Sequence, residues 1–77
     1  MPTIREITSH NAKRIIETRV NTIVDMENQG RENAALFNTY MLKRDIPDLL
    51  STMEYQDIED SVLHIATLAG RVLRANA

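Results

Sequence analysis

The groups with chemistry to offer in this chain are carboxylates and two imidazoles. From Asp45 to Asp60 there are six carboxylates (Asp45, Asp48, Glu54, Asp57, Glu59, Asp60) and no basic side chain. Asp60 and His64 stand one helical turn apart, with Asp57 a turn earlier, so a helix carries all three along one side. Such a trio can contribute metal ligands. The only other histidine is His10, in a separate basic segment, so the trio does not close a coordination sphere and the sequence predicts a surface carboxylate–histidine pair with no metal. Glu59 and Asp60 are adjacent, point to different parts of a helix surface, and do not form a general acid/base pair.

Other catalytic apparatus is missing from the sequence. There is no cysteine, which excludes a thiol nucleophile, a thiolate metal site and a disulfide. There is no P-loop, dinucleotide glycine fingerprint, nucleophile elbow or zincin pair. The expectation is a non-enzyme without a cofactor.

Binding is the remaining class of activity. The acidic stretch offers Asp48, Glu54, Asp57, Glu59 and Asp60 to a basic protein partner, although a solvated face at two helix starts accounts for the same charges. Residues 1–24 lean the other way, with Arg5, Lys13, Arg14 and Arg19 against two acidic side chains, so this segment can pair with the acidic stretch within the fold or across a dimer. A second reading places a nucleotide or other small anion in intersubunit pockets lined by Arg14, Arg19, Lys43 or Arg44. A third, a nucleic-acid-binding regulator, is disfavoured by the net charge of −2 and by the lack of a basic stripe. No apolar run is long enough to span a bilayer, the last helix lacks the basic polar face of an interfacial helix, and the polar N-terminal segment shows no leader; the expected location is the cytoplasm.

The elements that must position these groups are helices. Apolar residues recur at three- and four-residue steps nearly throughout, and no strand pattern occurs. Thr3-Ile4-Arg5-Glu6 reads as a capping box opening the first helix, with Thr8 or Ser9 as later candidate starts. Ala12, Ile16, Val20, Ile23 and Val24 form its stripe, and Gly30 suits a left-handed cap. A second helix is expected over residues 31–45, ended by Ile46-Pro47, because the residue before proline is driven out of the helical region. A short helical turn near 47–53 follows. Ser51-Thr52-Met53-Glu54 reads as a second capping box, starting a last helix that runs to about Asn76. Phe37, Tyr40 and Tyr55 lie at spacings that predict core positions, and Met26, Met41 and Met53 read as gap fillers.

That last helix is apolar around more of its circumference than one packing partner needs. One line holds Tyr55, Ile58, Val62, Ile65, Ala69 and Val72; a second holds Leu63, Ala66, Gly70 and Leu73. Ala66, Ala69 and Gly70 invite a close helix crossing, since a mid-helix glycine otherwise costs about 1 kcal/mol. The residues expected to mediate self-association are Ile58, Val62, Ile65, Ala66, Ala69, Gly70 and Val72.

Length makes association attractive. At 77 residues the chain is one helical domain, and a core this small rarely supplies more than about 3–5 kcal/mol unaided. Its size, acidity, lack of cysteine and helical pattern resemble two broad groups: small dimeric helical regulators of bacteria and small inhibitors encoded by phages and mobile elements. The expectation is an all-α protein, a small three-helix bundle with a short extra turn near 47–53. It would be a homodimeric, non-catalytic interaction protein that binds, and as those groups do inhibits, a larger macromolecule, here a protein of unknown identity.

Overall fold

In a computed structural model describing residues 1–77, the chain is entirely helical. The order is α1 (Ile4–Asn28), α2 (Glu32–Ser51), α3 (Tyr55–Asp60) and α4 (Val62–Ala75). Helix α1 starts where its cap dictates. Thr3 is extended, and its hydroxyl accepts the Glu6 N–H at 3.1 Å. It ends in a Schellman motif: the Gly30 N–H donates to Glu27 O at 3.0 Å and the Arg31 N–H to Met26 O at 2.8 Å. Gly30 makes this possible with a φ of 75°, the one positive φ in the chain.

The three long helices contact one another pairwise, and α3 lies against α1 and α4. The core is Ile16, Val20 and Ile23 of α1, Ala35 and Leu42 of α2, and Leu68 of α4. Met26, Ile46, Leu49, Leu50, Met53, Ile65 and Val72 pack around it. Two methionines thus fill gaps at the core's edge, as the sequence suggests.

Four local expectations are corrected. First, α2 does not stop at Ile46 but continues through Pro47 to Ser51, so there is no separate turn at 47–53. An interior proline costs a helix about 3 kcal/mol. Here Pro47 faces solvent in the last turns, while Ile46, Leu49 and Leu50 around it pack on the core. Burial on both sides of the proline holds the helix together, as tertiary packing routinely overrides propensity.

Second, Ser51 and Thr52 do not cap a following helix. Their hydroxyls donate back to Asp48 O and Leu49 O at 2.7 and 2.9 Å, finishing α2. Third, the expected last helix is two helices joined at Ser61. The Ser61 side chain is fully buried, and its hydroxyl donates to Asp57 O and Ile58 O at 2.9 and 3.1 Å, competing with the helical ladder. Fourth, the aromatics lie outside the core: Phe37 is 64% exposed and Tyr55 78%, while the Tyr40 hydroxyl donates to Asn76 Oδ1 at 3.0 Å on the surface. Small and aliphatic residues (Ala35, Thr39, Leu42) face inward from α2 instead.

Candidate functional site

Two groups of residues stand out, a polar anchor beneath α3 and an apolar face on α4. The anchor begins at Ser9, wholly buried on α1. Its hydroxyl accepts the Glu54 N–H at 2.7 Å and donates to Asp57 Oδ2 at 2.5 Å. Glu54 is the N-cap of α3 and has no side-chain cap bond of its own. A capping box normally lets the third helical residue reach back to the N-cap N–H. Here Ser9, from another helix, bridges the two.

Around that bridge the basic side of α1 meets the acidic stretch. His10 Nδ1 donates to Asp57 Oδ2 at 2.6 Å, and Lys13 Nζ lies 3.8 Å from Asp57 and 3.9 Å from Asp60. Arg5 pairs with Glu54 at 2.9 Å, and Arg19 with Asp45 at 2.8 Å. The Ser9 hydrogen bond, then His10 and Lys13, hold the Asp57 carboxyl below its ordinary value although burial pushes the other way. Arg19, then Arg44, do the same for Asp45.

This serine, histidine and aspartate do not form a nucleophilic relay. Nucleophilic catalysis needs the base hydrogen-bonded to the nucleophile and oriented by the acid. Here Ser9 and His10 both bond to the same Asp57 oxygen, and the Ser9 hydroxyl donates its hydrogen bond to the carboxylate and not to the imidazole. The arrangement anchors a helix.

The residues expected to meet a partner are therefore divided. Asp57 is 3% exposed and held by α1, so it is not a surface contact. Glu54 and Asp60 are engaged by Arg5 and Lys13. Asp48 and Glu59 are exposed and make no ion pair. His64 turns away from Asp60 toward α1, its Nδ1 4.0 Å from Glu17 Oε2 and without a hydrogen-bond partner. No group of three metal-ligating histidines or carboxylates assembles.

The four basic residues expected to hold an anion do not gather into one site. Arg19 and Arg44 share Asp45, Arg14 is exposed on α1, and Lys43 borders an apolar groove. A cavity of about 390 Å³ between α1, α2 and α4 does carry two arginines, Arg71 and Arg74. Both close on Glu27, at 3.0 and 3.6 Å, and Glu32 adds a second carboxylate to the wall.

The apolar face is the larger feature. Of the seven residues expected to mediate self-association, Ile65 and Val72 turn inward and pack on the core, and Ile58 is half-buried on α3. Val62, Ala66 and Ala69 point outward, together with Leu63 and Leu73. Val62 is 53% exposed, Leu63 78% and Leu73 72%. Gly70 is half-buried with no atom within 4 Å of where a Cβ would stand, so no helix of the same chain crosses closely there. Beside this face a groove of about 390 Å³ runs between α2 and α4, walled by Ile46, Pro47, Ile65, Leu68, Val72 and the shared Ala69 and Leu73.

No protein-family model, curated protein or solved structure matches this chain. Sequence reasoning places Ser9 only as a candidate helix start and misses Ser61, since a buried polar side chain leaves no mark on a hydropathy pattern, and it misses Leu68, which lies off both apolar lines of the last helix. Leu68 was detectable: it stands three residues from Ile65 and four from Val72, completing the inward stripe.

Proposed function

We propose that this chain, a small three-helix bundle with one short added helix, is a non-catalytic cytoplasmic protein that self-associates and binds, so as to inhibit, a larger macromolecular partner. The observation that carries the reading is the open apolar face of α4, which holds Val62, Leu63, Ala66, Ala69 and Leu73 and no charged residue. Exposed apolar patches of this kind mark interaction sites in soluble proteins. The total surface supports it: the chain exposes 5341 Å², against about 4,800 Å² for a compact monomer of its mass. Of the acidic stretch, Asp48 and Glu59 are left without an ion pair within the chain, and Asp48, on α2, is the acidic contact open to the larger partner.

Sedimentation velocity at neutral pH tests the first half. The expected species is a dimer that dissociates on dilution; a monomer at every concentration up to the millimolar range overturns self-association.

A further inference from the structure

The self-association just proposed leaves the arrangement of the two copies open, and this inference rests on it. We infer that two chains pair through α4 in an antiparallel, two-fold arrangement, with Val62 of each against Leu73 of the other and Ala66 of each against Ala69 of the other.

The first argument is the order of residues on the exposed face. Val62, Ala66, Ala69 and Leu73 follow one another at steps of four, three and four, the spacing of a single helix face. The series reads the same in both directions about a point between Thr67 and Leu68. Across a two-fold axis a surface must complement itself, residue i meeting j while j meets i. An antiparallel axis through that point sets large against large at each end and alanine against alanine in the middle. Helix axes approach to about 8 Å or less only where the facing side chains are small, so the two alanine pairs bring the backbones close and the valine–leucine pairs close the ends. A parallel pair would place Val62 on Val62 and Leu73 on Leu73 with the alanines again in the middle, so size permits either direction and charge chooses between them.

The second argument is charge. The chain before α4 ends in Glu59 and Asp60, both exposed, whereas α4 carries Arg74 in its last turn, its side chain 67% exposed and only loosely paired, 3.6 Å from a Glu27 that Arg71 already holds at 3.0 Å. About the same axis, Arg74 of one copy lies level with Ser61 of the other, beside those carboxylates. The parallel arrangement stacks arginine on arginine and acid on acid, which repels. The third is continuity. Ala69 and Leu73 belong both to this face and to the wall of the groove between α2 and α4, so a second α4 laid along the face also covers the rim of the groove.

The native chain has no cysteine, which permits a direct test. A Val62→Cys chain and a Leu73→Cys chain of different mass are mixed at equal concentration and joined with a short thiol cross-linker. The expected product is the mixed species, in clear excess over either like-with-like product. An excess of like-with-like products identifies a parallel pair and overturns the inference. A wild-type dimer in which neither combination cross-links places the interface elsewhere, and so overturns this arrangement while sparing self-association. A monomeric wild type overturns both. An Ala66→Arg variant supplies the second readout, because Ala66 is exposed and its substitution leaves the fold intact. Its circular dichroism should match the wild type while the dimer is lost; a dimer of unchanged strength overturns the inference.

Discussion

Asp57 is the residue on which the lower part of the molecule turns. It is buried, charged, and met by Ser9, His10 and Lys13. Because its folded value is depressed, as is that of Asp45, each binds fewer protons in the folded chain than in the unfolded one. The stabilisation is therefore full above the unfolded carboxylate value, near pH 4, and is lost as pH falls through the lower folded values. Thermal midpoints measured from pH 7 to pH 2 should hold steady and then drop below about pH 4. Asp57→Asn should lower the midpoint at pH 7 and shallow the acid decline; an acid limb identical to the wild type would show that Asp57 plays no part in it. None of this was legible locally. The carboxylate could be placed on a helix, but its burial depends on a serine dozens of residues away, and a polar partner carries no periodic signal.

At the scale of elements, the features written in local geometry were legible and those decided by packing were not. Thr3 and Gly30 each satisfy backbone groups of their own helix, so a few adjacent residues suffice to mark both ends of α1. Pro47 also has a local rule, but that rule is overridden by Ile46, Leu49 and Leu50, whose burial keeps α2 continuous. The apolar excess of the last helix was visible, yet which side turns inward is fixed by where α1 and α2 stand, and that put Leu68 in the core and Val62 outside it.

Two substitutions test this division. Pro47→Ala restores a helical N–H at an exposed site and should stabilise the monomer by about 1–3 kcal/mol. Gly70→Ala adds a methyl into open space within a regular helix and should contribute up to about 1 kcal/mol. Chemical denaturation measures both; destabilisation by Pro47→Ala would mean that the proline shapes the α2 terminus.

For the whole molecule, shape and surface set the behaviour. The chain spans 43 × 22 × 17 Å, an elongated body with only seven buried hydrophobic residues, the six of the core and Ala12. Three helices of such a chain cannot cover every apolar stripe among themselves, and one that stays open lies on α4. The acidic stretch and the basic first helix, separate in sequence, neutralise each other on folding at Arg5–Glu54, Lys13–Asp60 and Arg19–Asp45. That mutual pairing was foreseeable from the charge asymmetry. What it leaves available, Asp48 and Glu59, was not, because it depends on which carboxylates α1 reaches.

The Ser9 bridge also bears on the order in which the chain assembles. Helices α1 and α2 are joined by a short turn and can pair at once, whereas Ser9 and Glu54 are separated by 45 residues. Closing a loop of that length costs roughly 1.3 kcal/mol more than closing one of ten residues, which predicts that the bridge forms after the rate-limiting step, as a late latch. Ser9→Ala should then quicken unfolding and leave the refolding rate almost unchanged in stopped-flow measurements. A slowed refolding limb would instead put the first and third helices together at the barrier, with the long loop closed before the hairpin beside it.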